Sequence, residues 1–257
     1  MSRFLASVRS ADEAEMALAG GADIIDAKEP AQGALGRVLP ATLRAIVARV
    51  AGRLPVSATI GDVELRPDAV WAAVEATAGD GADIVKIGIF PGDLDGTLAA
   101  LRPMMAKSTK IVAVLFADRA PDLQTIPLRC AEAGFYGVML DTAGKSTGPL
   151  TAHLARAALA GFVARARSLG LVSGLAGSLR LADIAGLASL GADYLGFRSA
   201  LATGGRGGNL DPAALRAVRQ ALDRSAASSS ATAAAGAISA TRAPRAGAAA
   251  ATLSKPR

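Results

Sequence analysis

The sequence predicts a single-domain α/β fold, a (β/α)8 TIM barrel, and three observations support this prediction. About half of the 257 residues, 51%, are hydrophobic, yet no stretch approaches the roughly 20 uncharged apolar residues that a membrane-spanning helix needs. Short apolar runs alternate with helix-like segments eight times along the chain, which is typical of such barrels. One sequence pattern also recurs where each of several helices gives way to a strand.

The recurring pattern is a Gly-Ala-Asp turn followed by an apolar run. It appears as GGADIIDAK (20–28), DGADIVKIG (80–88) and LGADYLGFR (190–198), and more loosely as EAGFYGVMLD (132–141). Glycine ends the helix in a left-handed conformation, and the turn then leads into an extended, β-branched segment. Repeated turns of one kind indicate repeated βα units.

The strands follow from the apolar runs, and the helices follow from apolar spacing of about 3.6 residues. Strands are predicted near residues 4–8, 24–28, 55–60, 84–89, 110–117, 136–141, 171–176 and 194–198. Helices are predicted at 11–19, 41–50, 68–78, 94–106, 126–133, 150–169, 181–190 and 211–222. Ser10 is a suitable N-cap for the first helix, with Glu13 three residues later.

An open, doubly wound parallel sheet is the competing fold. Such a sheet normally has fewer strands, and a glycine-rich G-x-G-x-x-G turn follows its first strand. Here Arg9 and Ser10 follow the first strand instead. The sequence therefore favours the barrel.

The composition changes abruptly after Leu222. Residues 225–257 include 14 alanines and 6 serines, and their large apolar residues are Ile238 and Leu253. So few apolar groups cannot offset the entropy of ordering a chain, which predicts a disordered tail after a catalytic domain at 1–224. The tail has four basic residues and no acidic one, so +4 of the net charge of +6 belongs to it and +2 to residues 1–224.

The rare residue types exclude several classes of protein. A single cysteine, Cys130, and a single histidine, His153, rule out a disulfide framework and a Cys/His zinc cluster. The first residues, MSRFLASVRSADEAE, have no signal-peptide core. We therefore expect a cytoplasmic protein without a metal site or a bound cofactor.

Acidic and basic side chains interrupt the apolar strands at the end where barrels carry their chemistry. Asp26 and Lys28 end strand 2, Lys86 lies on strand 4, Asp141 ends strand 6, and Lys145 follows in the next loop. Residues two apart on a strand point to the same face, and alternate strands contribute to common interior layers. The spacing predicts that Lys28, Lys86 and Asp141 converge in one pocket.

Lys86 interrupts the apolar run 84–89, and two interpretations remain open. It could form a structural ion pair with a neighbouring acid such as Asp141. It could instead be a reactive amine, because burial and a second ammonium group such as that of Lys28 lower the pKa of a lysine. A neutral amine can form a Schiff base or accept a proton.

Glycine-rich turns follow strands 7 and 8, where many barrels bind phosphate through backbone N–H groups. The candidate phosphate-binding residues are Gly177, Ser178, Arg198, Gly204 and Gly205. Together with the lysines they predict a small phosphorylated carbonyl compound as substrate.

Several segments together resemble the (5-formylfuran-3-yl)methyl phosphate synthase family of methanofuran biosynthesis. They are GGADIIDAKEPAQGALG, VSATIGD, ADIVKIG, GVMLDT with Lys145, LAGS and the glycine-rich stretch after Arg198. The resemblance extends over about residues 3–222. It implies a TIM-barrel lyase that condenses two glyceraldehyde 3-phosphate molecules, one of them first isomerised to dihydroxyacetone phosphate, into a furan phosphate.

The resemblance also implies roles for individual residues. Lys28 matches the Schiff-base lysine and Lys86 the proton acceptor. Asp26, Asp141 and Lys145 match residues with acid–base roles, the last two in the isomerisation. No cofactor, nucleic acid or membrane is implied, and a homo-oligomer is left open.

Two alternatives remain. One is another Schiff-base aldolase, or a triose-phosphate-type isomerase, on the same fold. The other is a non-catalytic protein that binds anions or nucleic acid through its basic tail.

Overall fold

The computed structural model describes residues 2–144 and 148–240, and in it eight parallel strands close into a barrel. Each strand pairs with the next in the chain, and β8 pairs with β1. The strands are β1 (Arg3–Val8), β2 (Ile24–Ala27), β3 (Val56–Thr59), β4 (Ile84–Gly88), β5 (Lys110–Phe116), β6 (Gly137–Asp141), β7 (Val172–Leu175) and β8 (Tyr194–Phe197). The prediction of a (β/α)8 barrel is confirmed.

Helices connect the strands and cover the outside of the barrel. They are α1 (Ala11–Ala19), α2 (Pro40–Val50), α3 (Pro67–Gly79), α4 (Leu94–Ala106), α5 (Thr125–Ala133), α6 (Leu150–His153), α7 (Arg156–Ser168), α8 (Ile184–Ala188) and α9 (Pro212–Ala240). Short 3-10 turns lie at Pro30–Gln32, Ala117–Arg119, Leu181–Asp183 and Ser199–Leu201. In the part of the chain that the structure describes, no helix is both long enough and apolar enough to span a membrane.

The helix predicted at 150–169 is two helices. The N–H of Leu150 donates a hydrogen bond to the carbonyl of Gly177, which ties α6 to the loop after β7. Leu154 is then extended, with φ −127° and ψ 128°, and the chain turns before α7 begins. Because one short helix is held at the barrel end, the two segments cannot continue on a common axis.

The last helix extends further than the sequence predicts. α9 continues to Ala240, so residues 225–240, assigned to the tail from composition, are helical in the structure. Alanine has the highest helix propensity, and adding a residue to an existing helix is much easier than starting a new one. Residues 241–257 lie outside the described residues.

Successive strand residues face opposite sides of the barrel wall, which gives two apolar layers. Residues such as Phe4, Ile25 and Val85 pack between strands and helices. The interior cluster comprises Leu5, Ile24, Ala34, Leu35, Ile84, Phe90, Val112, Val114, Phe116, Met139, Ala176 and Tyr194. Asp26 and Lys86 are two residues from Ile24 and Ile84, so the same alternation directs them inward.

Candidate active site

The deepest polar group in the barrel is an ion pair between Lys86 and Asp26. Lys86 Nζ lies 2.5 Å from Asp26 Oδ1, and the side chains are 3% and 1% exposed. Asp26 also accepts hydrogen bonds from the hydroxyls of Ser7, at 2.8 Å, and Ser57, at 2.7 Å. The expected ion pair of Lys86 with a neighbouring acid is confirmed, but the acid is Asp26, and Asp141 pairs with Lys28 instead.

The register of the first four strands explains this arrangement. Ser7 pairs with Asp26, and Asp26 pairs with Ser57. Thr59, two residues after Ser57, pairs with Lys86. Since paired residues in a sheet face the same side, β1 to β4 direct these polar groups into the interior at neighbouring levels.

A second ion pair crosses the mouth of the barrel. Lys28 Nζ lies 3.1 Å from Asp141 Oδ2, and Asp141 Oδ1 accepts a hydrogen bond of 2.7 Å from the N–H of Thr142. Lys28 follows β2 and Asp141 ends β6, and three strands lie between these two positions on each side of the eight-stranded ring. The pair therefore bridges opposite sides of the mouth.

The two ion pairs influence one another electrostatically. Burial lowers the pKa of Lys86 below its ordinary value, and the nearby charge of Lys28 lowers it further, although Asp26 and Asp141 act in the other direction. Burial would raise the pKa of Asp26, but the charges of Lys86 and Lys28 and the bonded hydroxyl of Ser57 outweigh it and lower that pKa. Lys86 thus loses its proton more readily than an exposed lysine, while Asp26 stays ionised.

The mouth contains an open pocket. It is lined by Ser7, Lys28, Pro30, Asp141, Thr142, Gly177, Ser178, Gly196, Phe197, Arg198, Ser199 and Arg206. Lys28 and Asp141 thus face the pocket, whereas Lys86 lines a separate, smaller pocket deeper in the barrel, with Tyr136 and Tyr194. The structure therefore arranges the predicted lysines at two levels rather than in one pocket.

The loop after β7, which was predicted to bind phosphate, has a left-handed backbone at two positions. Gly177 and Ser178 have positive φ angles of 103° and 48°, and both line the mouth pocket. A Cβ atom on Gly177 would lie 2.9 Å from the methyl carbon of Thr142. Glycine therefore suits position 177 both for its positive φ angle and for its close contact with Thr142.

Arg198 lines the pocket, but its guanidinium group is bonded to the protein. It donates to the Glu13 carboxylate and to the Gly208 carbonyl, each at 2.6 Å, and to the carbonyls of Ser7 and Arg206. Burial would raise the pKa of Glu13, but the hydrogen bonds from Arg198 and the Arg9 backbone outweigh it and lower that pKa. Arg198 therefore holds the loop after β8 against β1 and α1.

The other predicted site residues have different positions. Gly204 and Gly205 adopt positive φ angles of 77° and 86°, but neither lines the mouth pocket. Arg206, which follows them, does line it, and Arg206 donates to the carbonyl of Gly33 at 3.2 Å. Lys145 lies outside the described residues.

Sequence reasoning missed the two hydroxyls on Asp26 and the side chains of Thr142 and Arg206. Ser7 and Ser57 each interrupt an apolar strand at an inward position, which is the same signal that identified Lys86. Arg206 lies in a glycine-rich loop, where the alternation found along strands cannot predict which way a side chain points.

Comparison with known proteins gives a consistent result over most of the chain. Residues 4–219 match the family model described as 4-HFC-P synthase. A relative from Methylorubrum extorquens is 50% identical over 202 residues, which is 77% of this chain and 82% of the relative. The (5-formylfuran-3-yl)methyl phosphate synthase of Methanococcus aeolicus is 36% identical, covering 76% of this chain and 88% of its own.

Solved structures show the same architecture at low sequence identity. The 3-hexulose-6-phosphate synthase of Salmonella typhimurium has a TM-score of 0.62 at 16% identity and covers 87% of this chain and 99% of its own. The phosphoribosyl anthranilate isomerase of Thermus thermophilus has a TM-score of 0.61 at 15% identity. It covers 86% of this chain and 98% of its own. These likenesses support the fold alone.

Proposed function

The chain belongs to the 4-HFC-P synthase family, and from that premise we propose that it makes (5-formylfuran-3-yl)methyl phosphate from two molecules of glyceraldehyde 3-phosphate. It would act as a lyase through a lysine Schiff base, in the biosynthesis of a methanofuran-type cofactor. The observation that carries the proposal is the pair of lysines in one barrel, each bonded to an aspartate.

Lys28 is the proposed Schiff-base lysine because its amine faces the mouth pocket beside a proton acceptor. Asp141 can take the proton that Lys28 must lose before its nitrogen attacks the carbonyl of dihydroxyacetone phosphate. Loss of water from the adduct gives an iminium ion. The iminium carbon, which was C2 of dihydroxyacetone phosphate, is then open to attack by a carbon nucleophile.

Lys86 is the proposed proton acceptor. Its lowered pKa increases the neutral fraction of the amine near neutral pH. Removing the C2 proton of glyceraldehyde 3-phosphate gives an enediolate, which expels the C3 phosphate and leaves an enol. Carbon 3 of that enol forms the new bond to the iminium carbon on Lys28, which gives the branched carbon skeleton of the furan. Asp26 then holds the resulting ammonium group of Lys86 in place.

Ring closure and eliminations complete the proposed reaction. Two triose phosphates lose one phosphate and two water molecules to give the furan, so no oxidant or reductant is needed. Asp141 and Lys145 are the proposed residues for the isomerisation that supplies dihydroxyacetone phosphate. Gly177 and Ser178 line the pocket, and their N–H groups are the proposed donors to a phosphate.

Product identification tests this function. We expect purified protein and glyceraldehyde 3-phosphate to yield a furan aldehyde, seen by its ultraviolet absorption and its mass. Lys28→Met should yield none, while Lys107→Met, at an exposed site, should match the wild type. A condensed sugar phosphate without furan would identify an aldolase, and dihydroxyacetone phosphate alone would identify an isomerase.

A further inference from the structure

The guanidinium group of Arg119 is held at the mouth by two aromatic rings. Its central carbon lies 5.4 Å from the ring centroid of Phe90 and 5.3 Å from that of Phe116. The two ring centroids are 4.9 Å apart, with the planes at 47°. Arg119 is exposed, so the rings hold a cation that remains in contact with solvent.

The positions of the rings show which way Arg119 faces. Phe90 and Phe116 both belong to the cluster inside the barrel, so a group stacked on them lies over the mouth. Phe116 ends β5 and pairs in register with Asp141, about 4.8 Å away across the strands. The guanidinium group is therefore near the ion pair of Lys28 and Asp141.

That ion pair separates two sides of the mouth. Gly177 and Ser178 follow β7 and lie on the side formed by β7, β8 and β1. Arg119 follows β5 and lies on the side formed by β3, β4 and β5. Candidate phosphate-binding groups therefore lie on both sides of the proposed Schiff-base lysine.

The chemistry of Arg119 suits a phosphate monoester. A guanidinium group stacked on rings keeps its N–H donors in its own plane, where they can bind a phosphate through two parallel hydrogen bonds. The neighbouring carboxylate of Asp118 accepts hydrogen bonds from the N–H groups of Ala143 and Gly144. Among the described residues, no carboxylate forms an ion pair with Arg119.

We propose that Arg119 binds the phosphate of the second triose, the glyceraldehyde 3-phosphate whose C3 forms the new carbon–carbon bond. This inference rests on the proposed function, which brings two phosphorylated molecules to one lysine. With one phosphate on the loop after β7 and the other on Arg119, the two carbon chains meet over Lys28. Arg119 then selects a phosphorylated second substrate over an unphosphorylated one.

A binding measurement tests the subsite without turnover. We expect the wild-type protein to bind hexane-1,6-diyl bisphosphate at least about tenfold more tightly than hexyl phosphate in calorimetry, a difference of about 1.4 kcal/mol. Arg119→Met should remove that preference and leave hexyl phosphate binding unchanged. Arg216→Met, at an exposed position on α9, is the matched control. No preference in the wild type, or full preference in Arg119→Met, would overturn the proposal.

Kinetics separate this inference from the proposed function. Arg119→Met should raise KM for glyceraldehyde 3-phosphate about tenfold or more, while borohydride trapping of dihydroxyacetone phosphate on Lys28 stays at the wild-type level. If the wild type makes no furan but Arg119→Met loses the bisphosphate preference, the subsite stands and the proposed function fails. If furan forms and the variant keeps its KM, the subsite proposal fails alone.

Discussion

At the residue scale, Lys86 and Asp26 place an amine and a carboxylate where neither is hydrated. The buried pair is stable because each charged group has partners. Asp26 accepts hydrogen bonds from two hydroxyl groups and also forms the ion pair with Lys86. Removing one partner leaves the other charge buried and uncompensated, which costs about 3–5 kcal/mol. The acid therefore controls both the stability of the pair and the proton affinity of the amine.

Asp26→Asn should move the pH dependence of turnover. The charge of Asp26 raises the pKa of Lys86, so neutralising that charge lowers the pKa further. If Lys86 acts as a base, activity rises with pH as it deprotonates, and this rise should move to lower pH in the variant. The measurement is kcat/KM against pH. Glu75→Gln, at an exposed site on α3, is the control and should keep the wild-type profile. An unchanged profile in Asp26→Asn would contradict the role of Lys86 as a base.

Asp26 also gives an expected pH dependence of stability. Its pKa in the folded protein is lower than the ordinary 3.8, so it stabilises the fold above that pH and the contribution is lost as the pH falls through the folded-state value. The free energies of unfolding of the wild type and Asp26→Asn, measured in urea, should therefore differ above about pH 4 and converge below it. An equal difference at all pH values would contradict this account.

At the element scale, the alternation of side chains along each strand predicted which residues face the interior. It placed Asp26, Lys28, Lys86 and Asp141 inside the barrel, as found. It could not predict which acid meets which lysine, because that depends on the stagger between strands. The sequence analysis also missed the break between α6 and α7. A hydrogen bond to a distant loop fixes this break, and the local spacing of apolar residues does not indicate that bond.

A glycine in β7 makes room for a ring inside the barrel. A Cβ atom on Gly174 would lie 2.3 Å from a ring carbon of Tyr194, so Gly174→Ala should destabilise the fold by about 1–3 kcal/mol through overpacking. Gly161 in α7 is exposed and has no such neighbour, so Gly161→Ala should stabilise by about 0.5–1 kcal/mol. Urea denaturation measures both, and equal effects would contradict the packing argument.

At the scale of the whole molecule, the proposed catalytic domain ends at residue 224. The family match ends at 219, and Leu222 is buried while Asp223 and Arg224 are exposed. A chain ending at Arg224 should therefore keep its thermal midpoint and turnover. Loss of either would contradict the boundary. Salt-sensitive binding to nucleic acid that disappears with residues 225–257 would instead support the non-catalytic alternative.

The central claim is that Lys28 forms a Schiff base with a triose phosphate, and borohydride trapping tests it most directly. Protein incubated with glyceraldehyde 3-phosphate and reduced with borohydride should carry one adduct, which peptide mass mapping places on Lys28. Lys28→Met should carry none, and Lys107→Met should match the wild type. The absence of an adduct, or an adduct on another lysine, would contradict the mechanism.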